Sequence, residues 1–200
     1  MVDDDISPTD KMSDSSAQSD TDERWKILVV DDEVDIHHLT RMVIKNKVFF
    51  GKGLELLEAN SGQEARELLR QHSDIALILL DVVMETEHEG LEVARYTRED
   101  LNNRLTRIIL RTGQPGITPE VDTVIHYDIN DYKQKSELTA ERLIVSIYTA
   151  LRCYRDMKAI EDTKEHLKQL IYSTSEIYHE QAMQRFTKDV LEQLLAQLQK

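Results

Sequence analysis

Short apolar segments alternate along this chain with segments whose apolar residues recur at three- and four-residue spacing. The continuous apolar runs are typical of strands buried on both faces of a parallel sheet, and the spaced segments are typical of helices. Parallel neighbours need crossover connections, so helices cover both faces of such a sheet. The pattern predicts an α/β fold with five parallel strands, at KILVV, LELLEA, IALILLDVVM, RIILRT and near INDYK.

Capping signals and apolar spacing locate the helices between these strands. Ile36, Leu39, Met42 and Val43 repeat at helical spacing and predict the first helix. Ser61, with Glu64 three residues later, forms a capping-box pattern that opens the second. A third is expected over LEVARYTRED, and a short one is expected to open with Thr118 as N-cap and Pro119 as first residue.

The last helix is predicted to run on without a stop, because neither glycine nor proline occurs from residue 139 to residue 200. An apolar stripe begins at Leu143 and continues past Ile160 toward Leu198. A domain of about 130 residues cannot cover the roughly 93 Å of such a helix. We therefore expect a partner helix, most simply in a homodimer, and we expect the chain to be the front portion of a longer protein.

Composition divides the chain and excludes some functions. Residues 1–24 are acidic and lack apolar periodicity, which predicts a disordered tail; residues 25–152 form the expected domain, and residues 153–200 the helical extension. A net charge of −13 argues against direct nucleic-acid binding. The longest apolar run is interrupted by Asp81 and is too short to span a membrane. The lone Cys153 and the absence of a secretory signal pattern favour the cytoplasm.

Acidic residues stand where two predicted strands end. Asp31 and Asp32 close the first strand, and Asp81 closes the third. Ligands of open parallel sheets bind outside the carboxyl ends of the strands, so these carboxylates are expected to converge. Three like charges that close need a cation, and carboxylate oxygens with room for water suit Mg²⁺.

The fourth and fifth strands add a hydroxyl, from Thr112, and a cation, from Lys135. Phosphoryl transfer needs an in-line nucleophile and positive charge around the phosphoryl oxygens. With Asp81 as the nucleophile, the set meets both needs. Lys133 is the other candidate for the cation. The seven histidines show no zinc-ligand spacing and are expected on surfaces or helix faces.

Four motifs in order, KILVVDDE, LILLDVVM, RTG and DYKQKS, resemble bacterial response-regulator receiver domains over residues 26 to about 152. The resemblance implies a flavodoxin-like doubly wound sheet with strand order 2-1-3-4-5. It also implies that Asp32, Asp81 and the carbonyl of Val83 bind Mg²⁺ directly, with Asp31 acting through water. Asp81 would accept phosphate from a histidine kinase or a phosphotransfer protein.

By the same resemblance, Thr112 would move toward the phosphoryl group and Tyr132 would change rotamer to report it, although core packing explains Tyr132 equally well. Two positions depart from the family pattern: Ser136 and Glu85 stand where receivers usually carry proline, which puts the loop geometry in question. Residues 153–200 look like the start of a GAF-like domain of unknown function, in a subclass often linked to cyclic-dinucleotide turnover.

Three functions stay open at this stage. The first is a phosphorylation switch that relays its state through the last helix to an output outside this chain, with no enzyme activity beyond self-phosphorylation and self-dephosphorylation. The second is a constitutive dimerising adaptor with a vestigial acidic pocket. The third is an Mg²⁺-dependent phosphohydrolase of the haloacid dehalogenase type, which would want a D-x-D spacing that VVDDE lacks.

Overall fold

The computed structural model describes residues 23–113, 121–137 and 139–198. The expected disordered tail, apart from its last two residues, and the expected helix opening at Thr118 and Pro119 lie outside these ranges. The described elements are β1 (Trp25–Val30), α1 (Val34–Ile44), β2 (Leu54–Ala59), α2 (Gly62–Gln71), β3 (Ile75–Asp81), α3 (Glu89–Arg95) with a π-helical turn (Tyr96–Asp100), β4 (Arg107–Thr112), α4 (Val121–His126), β5 (Asp131–Gln134), a 3₁₀ turn (Lys135–Glu137) and α5 (Ala140–Leu198).

All five strands are parallel and lie in the order β2-β1-β3-β4-β5, which confirms the predicted fold. β3 lies at the centre, and every one of its residues is buried. The register pairs Val30 with Leu80 and Asp81 with Arg111, so β1, β3 and β4 end at the same level. The functional residues at these strand ends are therefore brought to one edge of the sheet.

Alternate strand residues point to two hydrophobic layers. On one face, Ile27, Val29, Leu77 and Leu79 pack with α1 and α5. On the other face, a second set packs with α2, α3 and the residues around α4: Leu28, Val30, Ile78, Leu80, Ile108 and Leu110. Such burial on both sides explains why these strands are continuous apolar runs in the sequence.

Helix α1 forms where its apolar spacing predicts, but only part of the predicted stripe faces the core: Val43 packs there and Ile36 is half-buried. Leu39 and Met42 are 54% and 70% exposed, while His37, Thr40 and Ile44 are buried. The His37 ring lies against the end of β1, with Nε2 2.7 Å from the Asp31 carbonyl oxygen. His37 thus lies on a helix face, as expected for the histidines, but on the buried face of α1, where polar backbone at the sheet edge favours a polar neighbour.

Helix α2 begins with the predicted N-cap. The Ser61 hydroxyl accepts a hydrogen bond from the Glu64 N–H at 3.1 Å. The reciprocal bond differs from the standard capping box, since the Glu64 carboxylate accepts the N–H of Asn60 at 2.8 Å rather than that of Ser61.

Helix α5 is one continuous helix of 59 residues, as the absence of glycine and proline predicts. Its first turns are anchored by Leu143, Ile147, Leu151 and Tyr154, all buried. Beyond Met157 its large apolar residues are exposed within the described part of the chain, among them Ile160, Leu167, Leu170, Ile171 and Phe186. No helix among the described residues has the length and apolar character needed to cross a membrane.

Candidate functional site

Three carboxylates converge at the edge of the sheet where β1 and β3 end. Oxygens of Asp31, Asp32 and Asp81 lie within 4.8 Å of one another, a group that is able to hold a metal ion. Asp31 and Asp81 are buried, with 0% and 3% exposure, and Asp32 is exposed. The site therefore has an interior wall and one solvent-facing carboxylate.

Asp81 lies between opposing electrostatic influences. Burial raises the pKa of Asp81 above its ordinary value, the nearby Asp31 charge raises it further, and the hydrogen bond and charge of Lys135 oppose both. The Lys135 Nζ donates to Asp81 Oδ2 at 2.8 Å, and the Val83 N–H donates to Oδ1 at 3.4 Å. The two Asp81 oxygens are thus held by different donors, one a side-chain cation and the other a backbone amide.

Lys135 follows β5 and reaches three carboxylates at once. Its Nζ lies 2.8 Å from Asp81, 2.7 Å from Glu33 and 3.2 Å from Asp31. Although burial alone would lower it, these hydrogen bonds and charges raise the pKa of Lys135 above its ordinary value, so the ammonium stays protonated. Lys133, the alternative cation, pairs with Asp131 at 3.2 Å.

Thr112 and Tyr132 stand on the neighbouring strands. Thr112 ends β4, is 1% exposed, and directly follows Arg111, which is the register partner of Asp81. Tyr132 is half-buried in β5 and packs against the hydrophobic layer on the α2–α3 face. The Tyr132 position is consistent with core packing as well as with a conformational reporter.

The loop after β3 is held without the proline that the family usually carries. The Glu85 carboxylate accepts the N–H of Gly62, the first residue of α2, at 3.1 Å. The Gly90 N–H donates to the Val82 carbonyl at 3.1 Å and brings α3 against the backbone of Asp81. Glu85 therefore fixes this loop through a helix N-terminus, where a negative charge is favourable. Ser136, the second departure, is exposed in the turn after β5.

Three residues of the site were missed in the sequence. Arg111 is 3% exposed, and its Nη2 donates to Asp31 Oδ2 at 3.2 Å. Burial lowers the pKa of Arg111, against the charges of Asp31, Asp81 and Glu33. A hydrogen bond from Lys135 lowers the pKa of Glu33. The third is His37, described above. The sequence signal for Arg111 is its place in the RTG motif, at the end of the apolar strand RIILRT.

The donor set fits a hard divalent cation. Exposed Asp32 and buried Asp31 and Asp81 each offer a carboxylate oxygen. Mg²⁺ prefers such sites, with one or two carboxylates and room for water or phosphate oxygens. Nitrogen and sulfur donors, which zinc prefers, are absent from this group of residues.

Comparison with known proteins gives a consistent result. The family model described as "Response regulator receiver domain" matches residues 27–148, and one described as "Domain of unknown function (DUF3369)" matches residues 147–200. The chain is 44% identical over 176 residues to a 3'3'-cGAMP-specific phosphodiesterase 2 of Vibrio cholerae, covering 88% of this chain and 34% of that protein. It is 32% identical over 146 residues to the transcriptional regulatory protein SrrA of Staphylococcus aureus, covering 73% of this chain and 55% of that protein.

Solved structures show the same fold. The signal receiver domain of an HD domain-containing protein from Pseudomonas fluorescens Pf-5 aligns with a TM-score of 0.57 at 19% identity, over 68% of this chain and 93% of that one. A CheY-like receiver domain protein from Methanospirillum hungatei aligns with a TM-score of 0.56 at 19% identity, over 67% and 99%. The chain thus spans a whole receiver fold but only a third to about half of these curated relatives.

Proposed function

This chain belongs to the response regulator receiver family, and from that premise we propose that it is a phosphorylation switch whose phosphoryl acceptor is Asp81. The observation that carries the proposal is the buried Asp81 carboxylate with Lys135 Nζ 2.8 Å away and two further aspartates beside it. Transfer to Asp81 breaks the bond between phosphorus and a donor histidine nitrogen and forms one to an Asp81 oxygen.

Each site residue has a proposed role. Asp81 is the nucleophile, and Lys135 pairs with a phosphoryl oxygen after transfer. Thr112 turns its hydroxyl toward the same group, and Tyr132 follows as the reporter of the change. These roles are supported by position: Asp81 and Thr112 end β3 and β4, Lys135 follows β5, and Tyr132 lies within β5.

Mg²⁺ is the proposed cofactor, bound directly by Asp32, Asp81 and the Val83 carbonyl and through water by Asp31. The bound ion would supply positive charge to the phosphoryl oxygens. The interior position of Asp31, 0% exposed and paired with Arg111, supports its indirect role. The exposed Asp32 supports direct binding from the solvent side.

The proposed partner is a sensor histidine kinase or a phosphotransfer protein. We propose no nucleic-acid contact by this chain, because its net charge of −13 repels a phosphate backbone. The expected cytoplasmic location stays a prediction.

Helix α5 is the proposed route of the signal out of the domain. We propose a domain from 25 to 152 and an extension from 153 to 200 that begins a following unit, GAF-like in kind. The exposed apolar side chains beyond Met157 support pairing with the same helix of a second copy. Any output activity, including phosphodiesterase activity of the kind named for the Vibrio cholerae relative, is proposed to reside outside this chain.

The test is phosphate incorporation measured by intact mass. Wild-type protein with Mg²⁺ and acetyl phosphate should gain one phosphate, and Asp81→Asn should gain none. Asp35→Asn, which removes an exposed carboxylate on α1, is the matched control and should behave as wild type. An unmodified wild-type mass would refute the switch, and steady multiple-turnover hydrolysis of phosphate esters would favour the phosphohydrolase alternative.

A dimerising adaptor is the second candidate, favoured by the exposed stripe that includes Ile160, Leu167 and Leu170. The two candidates differ in their response to beryllofluoride, an analogue of the phosphoryl group. A switch changes its oligomeric state or α5 dynamics when the analogue binds with Mg²⁺. An adaptor gives the same sedimentation profile with and without it.

A further inference from the structure

A second buried cation shares the acidic pocket with Lys135. Arg111 is 3% exposed on β4, and its guanidinium contacts Asp31 through Nη2 at 3.2 Å. Its Nε is buried without a hydrogen-bond partner among the described residues. A guanidinium in the interior costs free energy unless a nearby charge offsets it. The contact with Asp31 is therefore what offsets the burial of the Arg111 guanidinium.

The sheet register aligns Arg111 with the two interior acids. Asp81 and Arg111 are direct partners in the β3–β4 register, and Asp31 follows Val30, the partner of Leu80. Residues paired in a parallel register point to the same face. Asp31, Asp81 and Arg111 thus form a row across three strands on the face covered by α1 and α5.

The two oxygens of Asp31 are divided between different donors. Oδ1 accepts the Glu33 N–H at 3.1 Å and the Lys135 ammonium at 3.2 Å, while Oδ2 accepts Arg111. If Lys135 leaves Asp31 to meet a phosphoryl oxygen, Asp31 keeps a counter-ion. Without Arg111, the same movement would leave a fully buried carboxylate without a cation in direct contact, which is unfavourable.

We propose that Arg111 is a positioning residue that holds Asp31 as its permanent counter-ion and thereby releases Lys135 to pair with the phosphoryl group on Asp81. The inference rests on the proposed switch function and adds a residue to it. Arg111 also keeps Asp31 Oδ2 away from the cation site, so that direct ligation is left to Asp32 and Asp81. The formal charge of the pocket agrees with this assignment. Four carboxylates, at 31, 32, 33 and 81, lie with two cations, and one divalent ion balances the difference.

The proposal predicts that Arg111→Met changes the affinities for Mg²⁺ and for beryllofluoride in opposite directions. Loss of a positive charge and release of Asp31 should tighten Mg²⁺ binding roughly threefold or more, measured by titration calorimetry without any phosphodonor. Beryllofluoride binding at saturating Mg²⁺ should weaken about tenfold, since Lys135 is then held by Asp31. A merely structural role would weaken both.

Arg107→Met is the matched control, because Arg107 lies on the same strand and the same face at 2% exposure but pairs with Asp128 at 3.5 Å. It should leave both affinities at wild-type values. Arg111→Lys keeps the charge and should hold both affinities within about threefold of wild type.

Each outcome of these titrations decides the question. Equal weakening of both ligands by Arg111→Met, or no change beyond that of Arg107→Met, overturns the role of Arg111. If Arg111→Met does not fold, Arg111→Gln takes its place. Arg111→Gln should also tighten Mg²⁺ binding and weaken beryllofluoride binding, each by a smaller factor. If wild-type protein binds Mg²⁺ but neither accepts phosphate nor binds beryllofluoride, the switch function fails, and the Mg²⁺ comparison alone then judges Arg111.

Discussion

Gly90 offers the sharpest test of how the fold positions Asp81. A Cβ added at Gly90 would lie 1.9 Å from the Asp81 carbonyl oxygen, 2.8 Å from its carbonyl carbon and 2.9 Å from the Val82 Cα. All three are backbone atoms of the strand end, so no side-chain rotation relieves the overlap. In Gly90→Ala, either α3 or the end of β3 must move by more than an ångström.

The expected cost follows from two opposing effects. Alanine is favoured over glycine in a helix by about 1 kcal/mol. Overpacking that forces backbone shifts costs about 1–3 kcal/mol, and more when the obstacle is rigid. We expect Gly90→Ala to lower the free energy of unfolding by about 2 kcal/mol and to slow phosphate incorporation, because the displaced backbone carries Asp81.

Urea unfolding followed by circular dichroism gives the first quantity, and intact mass against time with acetyl phosphate gives the second. The control is Gly53→Ala, whose added Cβ would meet only the Arg24 Cγ at 3.9 Å. That variant should stay within about 0.5 kcal/mol of wild type. If Gly90→Ala proves as stable and as readily phosphorylated as Gly53→Ala, the inferred close contact between α3 and the end of β3 is contradicted.

Three further predictions concern the site, the loops around it and α5. Burial raises the pKa of Asp81 in the folded state, so without Mg²⁺ protonation of Asp81 stabilises the fold. This stabilisation is fully present below about pH 4 and is lost as pH rises through the folded-state pKa. In thermal melts in EDTA from about pH 4 to 8, the melting temperature of Asp81→Asn should therefore rise relative to that of wild type as pH rises. A difference in melting temperature that stays constant with pH would contradict this. Arg98 donates to three loop carbonyls, so Arg98→Met should lose about 3 kcal/mol or more in urea unfolding, whereas Arg95→Met on the surface should lose less than about 1 kcal/mol. Ile147→Ala, at a fully buried position, should lower the free energy of unfolding by about 2–5 kcal/mol. Ile160→Ala, at an exposed position on α5, should instead weaken self-association measured by sedimentation velocity. Unchanged self-association of Ile160→Ala would argue against pairing through α5.

The fold was predictable because burial on both faces leaves a direct signature in the strands. β3 is buried at every residue, and its sequence is correspondingly apolar up to Asp81. A charged residue that ends such a run has few structural explanations, so the acidic positions at the ends of β1 and β3 were visible as well. The order β2-β1-β3-β4-β5 then brings them together.

Helix α1 shows where periodicity stops being informative. Spacing of three and four residues fits both Leu39 with Met42 and His37 with Thr40, and hydrophobicity favours the first pair. The structure buries the second pair, because this side of α1 meets the polar strand end at Asp31. Helical spacing predicts that a helix forms, but the surface it meets decides which face is buried.

Arg111 was missed for a related reason. The two arginines of β4, Arg107 and Arg111, give no indication of the face to which they point until the register is known. Once Asp81 and Arg111 are paired across β3 and β4, both must point to the same face, and the contact with Asp31 follows.

The division of the chain near residue 152 stays a prediction, since α5 runs through that point without a break.

The unbroken course of α5 turns small movements of its anchored turns into large ones at its end. From Tyr154, the last buried residue of the anchor, to Leu198 the helix extends roughly 65 Å at 1.5 Å per residue. As long as this lever stays straight, a tilt of about 5° at the anchor displaces its tip by roughly 6 Å, more than the pitch of one helical turn. Insertion of a single residue in this stretch would also rotate everything downstream by about 100°, whereas seven residues would nearly restore the azimuth.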